Sequence, residues 1–375
     1  MITASNWAPA TPAERYSHID ILRGLALFGV LIVNLETGFR IPLLEQILGP
    51  HPESGWANQI VDLLVDRLLE FKAITIFSFL FGAGIAMQAE RFASPAVSAR
   101  TFLARRLGWL FLLGVSHMFL IWNGDILALY GVCGFLLLPS LSLSWPVLLV
   151  LGAVAMALPN FVSIPLDIPT GEAAAVHIAR AREVYGHGGF FAILMFRGQE
   201  SWSLIVPLLI SILPRTVGLM YWGMAAWRSG ILGAPERHRR TLLAALALGV
   251  VGGAAYPSIP SLLALAYVSA FLLLLKPGRA LSLPGLAATG RMALTNYLIQ
   301  SIVLGIIFYG YGFGLFGRLG SAAAAVIGVT IYLTQVQLSR IWLAHFQFGP
   351  FEWLWRSLSY GRRPVSTWQL RNRVP

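Results

Sequence analysis

The sequence predicts an all-α, polytopic integral membrane protein of about ten transmembrane helices, and three observations carry that prediction. Hydrophobic residues make up 57% of the 375 positions and charged residues only 11%, with a mean hydropathy of +0.71; a soluble domain carries roughly 25% charged residues. Twelve Trp and eleven Tyr supply the amphipathic rings that settle at a membrane–water boundary. Apolar runs long enough to cross a bilayer recur at roughly 19–35, 73–90, 107–122, 125–142, 146–163, 203–227, 241–256, 259–275, 290–309 and 321–341.

Taken in order, residues 1–18 form a polar tail containing Pro9 and Pro12, without the apolar stretch of a cleaved signal peptide. The transmembrane domain covers 19–342. An amphipathic stretch (Ile60, Leu63, Leu64, Arg67, Leu68, Phe71) precedes its second run and fits the interface. The runs at 107–122 and 241–256 are the shortest. Between the fifth and sixth runs, 164–201 holds Pro165, Pro169, Gly188 and Gly189 around a short helical pattern from His177 to Tyr185. This reads as an outer loop joining two five-helix halves. Residues 343–375 read as a cytoplasmic amphipathic tail, aromatic from Phe348 to Tyr360 and basic beyond.

Orientation follows from counting Arg and Lys near the runs. With an inner N-terminus, fourteen fall inside (Arg15, Arg91, Arg100, Arg105, Arg106, Arg228, Arg237, Arg239, Arg240, Lys276, Arg279, Arg291, Arg340, Arg356) and seven outside. Both termini are therefore expected in the cytoplasm, with the runs crossing the cell (plasma) membrane. The positive-inside rule also accounts for the net charge of +11 without nucleic acid as a partner. The single cysteine, Cys133, lies in an apolar run, which excludes an internal disulfide framework and a Cys-based zinc site.

The polar residues inside the runs are the candidates for chemistry. His117 lies in Gly114-Val-Ser-His117, about a turn and a half from the Asn123-Gly124 break, and Asp125 follows that break. An intramembrane histidine needs a partner, and Asp125 is the carboxylate at hand; Asp125 equally suits the cap of the next helix, and both roles can hold together. In the first run Asp20, Arg23 and Asn34 share one face, with an Asp20–Arg23 pair or, alternatively, a capping Asp20 and an Arg23 that snorkels to phosphates. Arg105 and Arg106 add to the basic inner face. Arg215 follows Pro214 near the middle of the sixth run, either holding an anionic group or carboxylate, or satisfying backbone carbonyls freed by Pro207 and Pro214. Asn296 and Gln300 are one turn apart in the ninth run, where binding competes with interhelical hydrogen bonding; Gln335 and Ser339 repeat the pattern more weakly. The glycines of Phe81-Gly82-Ala-Gly84 and of 309–317 lack the strand–turn–helix setting of a nucleotide loop and read as close helix packing and as an outer turn.

Several of these blocks together resemble the bacterial YeiB family, catalogued as domain of unknown function 418. They are Ile19-Asp20-Ile-Leu-Arg23-Gly24 through Val33-Asn34; Phe77-Ser-Phe-Leu-Phe-Gly82-Ala-Gly84; Gly114-Val-Ser-His117 with Trp122-Asn-Gly124-Asp125; Gly290-Arg291-Met-Ala-Leu-Thr-Asn296-Tyr; and Gly349-Pro-Phe-Glu352-Trp-Leu-Trp355-Arg. The first block is also similar to the opening of the heparan-glucosaminide acetyltransferase group and, more distantly, of membrane acyltransferases that modify cell-surface sugars. The resemblance implies an acyltransferase that draws on a cytoplasmic thioester: acetyl-CoA or another acyl-CoA as donor substrate, no tightly bound cofactor, and an envelope glycan or small molecule as acceptor. The histidine of those enzymes has no counterpart at the matching place, so His117 stands on its own chemistry.

The leading expectation is acyl transfer. His117, oriented by Asp125, acts as general base or transient acyl carrier, and donor phosphates rest on Arg23, Arg105 and Arg106. A secondary transporter is the rival, because two five-span halves with opposite entry sides have the layout of an inverted repeat. A non-catalytic accessory subunit or sensor is the third.

Overall fold

A computed structural model of the chain describes residues 16–49, 53–91, 98–162, 166, 168–275 and 283–360, and all regular structure among them is helical. In order the helices are α1 (Ser17–Asn34), α2 (Leu43–Leu48), α3 (Trp56–Leu64), α4 (Lys72–Arg91), α5 (Ala99–Leu120), α6 (Leu127–Leu137), α7 (Trp145–Ala157) and α8 (Gly171–His187). There follow α9 (Phe190–Glu200), α10 (Val206–Arg228), α11 (Arg239–Ala255), α12 (Pro260–Leu273), α13 (Pro284–Arg291), α14 (Ala293–Phe308), α15 (Ser321–His345) and α16 (Pro350–Tyr360). Single π-helical turns extend α1 (Leu35–Phe39) and α3 (Val65–Leu69) and join α9 to α10 (Ser201–Ile205).

Each expected apolar run contains a helix, but ten full-length spans are not confirmed. Five helical segments are long and apolar enough to cross a membrane: Ser17–Phe39, Trp56–Arg91, Ala99–Leu120, Phe190–Arg228 and Ser321–His345. A sixth is reached if α13 and α14, bent by 82° at Met292, count as one broken span. Helices such as Leu127–Ser140, Trp145–Asn160 and Pro260–Leu273 are apolar but shorter, because Pro139, Pro159 and Pro260 fall at their ends. Large side chains on several outer faces stay exposed, among them Val150, Val154, Val251, Val326 and Leu333. That apolar girdle marks a lipid bilayer as the surroundings.

The segment expected as a loop at 164–201 is largely helical. It holds α8 and α9, and α9 runs into α10 without a break, so that Phe190–Arg228 is one continuous rod. Phe190, Ile193, Met195 and Phe196 give α9 an apolar character, and no proline falls before Pro207, which follows the π-helical turn Ser201–Ile205 where the hydrogen-bond register already shifts. Residues 1–15, 276–282 and 361–375, which include Arg15, Lys276 and Arg279 of the charge count and the end of the expected cytoplasmic tail, lie outside the described residues, as does Pro165.

Two buried clusters organise the bundle. One gathers Leu107, Leu129, Tyr130, Cys133, Met220 and Met224 from α5, α6 and α10. The other, aromatic, joins Phe39, Trp122, Tyr185, Phe308, Tyr309 and Phe316 near the far ends of α1 and α5. Where helices meet most closely, glycine removes the obstacle: a Cβ on Gly290 of α13 would collide with the Asp20 carbonyl of α1, which anchors that pair. Gly82, in the run read as close packing, meets the backbone of Met220 in the same way.

Candidate functional site

The site is built along α5, with His117 in its last turn and Arg106 nearer its start, about 16 Å apart at a rise of about 1.5 Å per residue. A side chain on Gly114 would strike the backbone of Leu127 and Ala128. Its absence lets the chain turn at Asn123-Gly124 and bring α6 directly onto α5. Asp125 thereby comes beside His117: Nδ1 lies 2.9 Å from Oδ1, and both side chains are buried, at 1% and 0% exposure. The other carboxylate oxygen accepts the Ala128 N–H at 2.8 Å. Asp125 thus caps α6 and orients the imidazole at once, the two roles that the sequence left side by side. With Nδ1 donating to the carboxylate, the lone pair belongs to Nε2, which has no hydrogen-bond partner.

Tyr297 of α14 covers the imidazole, with ring centroids 5.2 Å apart. Its buried hydroxyl approaches the Asp125 carboxylate without completing a hydrogen bond. On the same side, Glu200 of α9 accepts from Asn123 (2.6 Å), from the Tyr185 hydroxyl (2.7 Å) and from His177 (3.0 Å). Arg197, 1% exposed, donates to the Leu120 carbonyl at 2.9 Å and lies over the Tyr309 ring. Arg40 bridges Glu36 (2.7 Å) and Glu53 (2.5 Å). The Asn123-Gly124 turn is therefore tied through Asn123 to Glu200 of α9, whose carboxylate also holds Tyr185 and His177 of α8.

At the other end of α5 a cavity of about 430 Å³ opens among α1, α4, α5, α6, α13, α14 and α16. Its mouth carries five arginines (Arg23, Arg91, Arg106, Arg291, Arg356) against two carboxylates, Asp20 and Glu352. Its shaft is apolar, lined by Leu27, Val30, Phe77, Leu80 and Leu294, and its wall toward α6 is formed by Ile126, Leu127, Tyr130 and Tyr297. An amphipathic hole of this size, basic at one end and greasy along its length, suits a ligand with an anionic head and a narrow apolar arm.

α16 forms part of that mouth rather than merely following the membrane surface. Trp355 stacks on the Arg106 guanidinium at 3.6 Å and donates its indole N–H to the Arg106 carbonyl at 2.8 Å. Glu352 accepts the Thr295 N–H at 3.0 Å and the Thr295 hydroxyl at 2.5 Å, capping the start of α14. Burial pushes the Glu352 carboxyl above the usual carboxylate range, against the opposing effect of the Thr295 hydrogen bonds.

The candidates named from sequence divide. Arg23 and Asp20 line the mouth and pair at 3.1 Å, and Arg106 lines it beside them. Arg105, the next residue, is exposed and faces elsewhere. His117 and Asp125 meet each other but stand behind the cavity wall. Arg215 is half-buried with its guanidinium 6.0 Å from the Phe71 ring and Lys72 nearby, and it does not line the cavity. Asn34 is half-buried and does not line the cavity. Asn296 and Gln300 join α14 to α15: Asn296 donates to Ser339 (3.0 Å) and to the Thr289 carbonyl, and Gln300 donates to Gln335 (2.8 Å). Tyr297, Arg91 and Glu352 were not nominated. Among the described residues no group of three His, Cys, Asp or Glu is placed to hold a metal ion.

The family model described as "Protein of unknown function (DUF418)" matches residues 251–362, the stretch that contains α14, α15 and α16. The uncharacterized protein YxaH of Bacillus subtilis (strain 168) is 33% identical, over 95% of this chain and 97% of its own. This chain belongs to the DUF418 family. The uncharacterized protein YeiB of Escherichia coli (strain K12) is 29% identical, over 92% and 96% of the two chains. An uncharacterized 39.9 kDa protein in the amylase 3' region of Bacillus acidopullulyticus is 30% identical over 95% and 96%. The DUF418 match therefore takes in one wall of the cavity and its α16 cover, while the full-length relatives also span the His117–Asp125 turn.

Proposed function

We propose that this chain is a transmembrane acyltransferase of the plasma membrane, with both termini in the cytoplasm and the basic mouth opening on that side. Supporting the reading is one arrangement above all: a buried His–Asp pair with a free Nε2 stands one side chain away from an amphipathic cavity with a cationic entrance. Acetyl-CoA or another acyl-CoA would place its phosphates among Arg23, Arg91 and Arg106 and run its thioester arm down the apolar shaft. His117 Nε2 takes the proton from the acceptor hydroxyl or amine as that atom attacks the thioester carbonyl carbon. As the carbon–sulfur bond breaks, the imidazolium returns its proton to the departing thiolate. Asp125 holds the ring in register. An envelope glycan or a small molecule would approach from the Asn123 side, the membrane face opposite the mouth.

The test is purified protein in detergent with radiolabelled acetyl-CoA and longer acyl-CoA thioesters. Donor cleavage, slow in water alone and faster with an acceptor, is the expected result; no cleavage and no affinity for CoA at low salt would refute it. A transporter reading draws on the 82° break at Met292, since broken helices flank many transport sites. It requires a proton or ion gradient for activity, which a detergent assay removes.

A further inference from the structure

We propose that Tyr297 is a movable wall between the cavity and His117, and the residue that positions whatever reaches the imidazole. The proposal rests on the acyl-transfer reading for its purpose but not for its geometry. His117 is 1% exposed and is not part of the cavity lining, yet Tyr297 belongs to that lining and its ring covers the imidazole at 5.2 Å. In this arrangement the only unpartnered nitrogen of the His–Asp pair is sealed from the space that could deliver a substrate.

Of the residues that separate the two spaces, Tyr297 is the one free to turn. Ile126 and Leu127 are fixed by the backbone that Asp125 ties down through the Ala128 N–H. Tyr130 holds its hydroxyl against Ser78 at 2.8 Å. The Tyr297 hydroxyl approaches the Asp125 carboxylate and the Ile126 backbone but completes no well-formed hydrogen bond with either, so little beyond packing keeps the ring where it is. A buried phenol whose contacts fall short of a full hydrogen bond gains one by turning toward a ligand carbonyl in the cavity, and the same rotation uncovers Nε2. Tyr297 also follows the bend at Met292 by little more than one turn, and Thr295 in that turn is held by Glu352 of α16. Closure of the mouth and position of the wall therefore share one short helical segment.

Diethyl pyrocarbonate, which acylates an accessible imidazole nitrogen, tests this without reference to turnover. Full-length protein in detergent is treated, and modification of the His117 peptide is followed by mass spectrometry. Wild type and Tyr297→Phe should react slowly at His117, because both keep the ring, and Tyr297→Ala should react at least tenfold faster. Leu298→Ala loosens the neighbouring buried position without touching the cavity lining, and should stay near the wild-type rate. A fast wild type, a Tyr297→Ala rate equal to wild type, or a Leu298→Ala rate equal to that of Tyr297→Ala would overturn the wall. Coenzyme A added to Tyr297→Ala should slow the reaction again. A raised rate that CoA leaves untouched upholds the wall and rejects the donor assigned to the cavity.

Discussion

At the His117 end of the bundle, most buried ionisable groups are matched to polar side chains within the chain: His117 to Asp125, Arg40 to Glu36 and Glu53, and Glu200 to Asn123, Tyr185 and His177, while Arg197 rests on the Leu120 carbonyl and the Tyr309 ring. At the Arg106 end, five arginines meet two carboxylates around open space. Burying charge in an apolar surrounding is tolerable only with partners, so the first end is assembled for position. The second keeps a cationic excess where water or an anion can reach it, which is how a site for phosphate-bearing ligands is built. On the acyl-transfer proposal, catalytic geometry and substrate capture are divided between the two ends of one helix.

Breaking the matched end should have the largest effect. His117→Ala removes the base and should lower acyl-CoA turnover about 10²–10⁴-fold, the usual worth of general-base catalysis. Asp125→Asn keeps an oxygen for the Ala128 N–H but mis-sets the imidazole, so it should fall in the same range. The double variant should be little worse than the worse single, since both act on one step. Turnover in detergent measures all three; an active His117→Ala would remove the catalytic assignment.

At the open end the comparison sharpens to adjacent residues. Arg106→Met should weaken CoA binding about tenfold at low salt, the loss of one charge-assisted contact of about 1.4 kcal/mol. Arg105→Met, whose side chain is exposed outside the cavity, should leave affinity within twofold. Titration calorimetry at two ionic strengths would decide between them, and equal losses would mean that the basic surface acts only as a diffuse field.

How much of this was legible in the sequence depends on distance along the chain. His117 and Asp125 flank one turn, so an apolar run, an Asn-Gly break and a carboxylate were enough to pair them. The helical character of the runs was equally plain, whereas their lengths were not, because proline ends and the bend at Met292 reset where each helix stops. The cavity was illegible because its arginines come from α1, α4, α5, α13 and α16, and nothing local says that these meet. Within α5 a signal did exist: Phe102, Leu103, Arg106, Leu107 and Leu110 recur at helical spacing on one face, and Arg105 falls off it. Tyr297 passed unnoticed between Asn296 and Gln300, whose amides drew attention but serve to join α14 to α15.

The smallest expected effect concerns Glu352, where the two ends are mechanically joined. Its carboxyl caps α14 through Thr295 and belongs to α16, the helix that helps form the mouth. Burial raises its pKa in the folded state, so its contribution to holding α16 is full at pH values below the ordinary carboxylate range. That contribution is lost as pH rises through the raised folded value, when the ionised form must be kept partly out of water. Glu352→Gln keeps an oxygen acceptor for the Thr295 donors and cannot ionise. It should therefore hold α16 with the same strength across the acidic to neutral range, while wild type loosens toward the upper end. Hydrogen exchange of the α16 amides, followed from about pH 5 to 8 and corrected for the intrinsic rate of exchange, would show the difference as a slope present in wild type and absent in Glu352→Gln. Equal slopes would mean that Trp355 on Arg106 fixes α16 alone, and that the mouth does not respond to pH through Glu352.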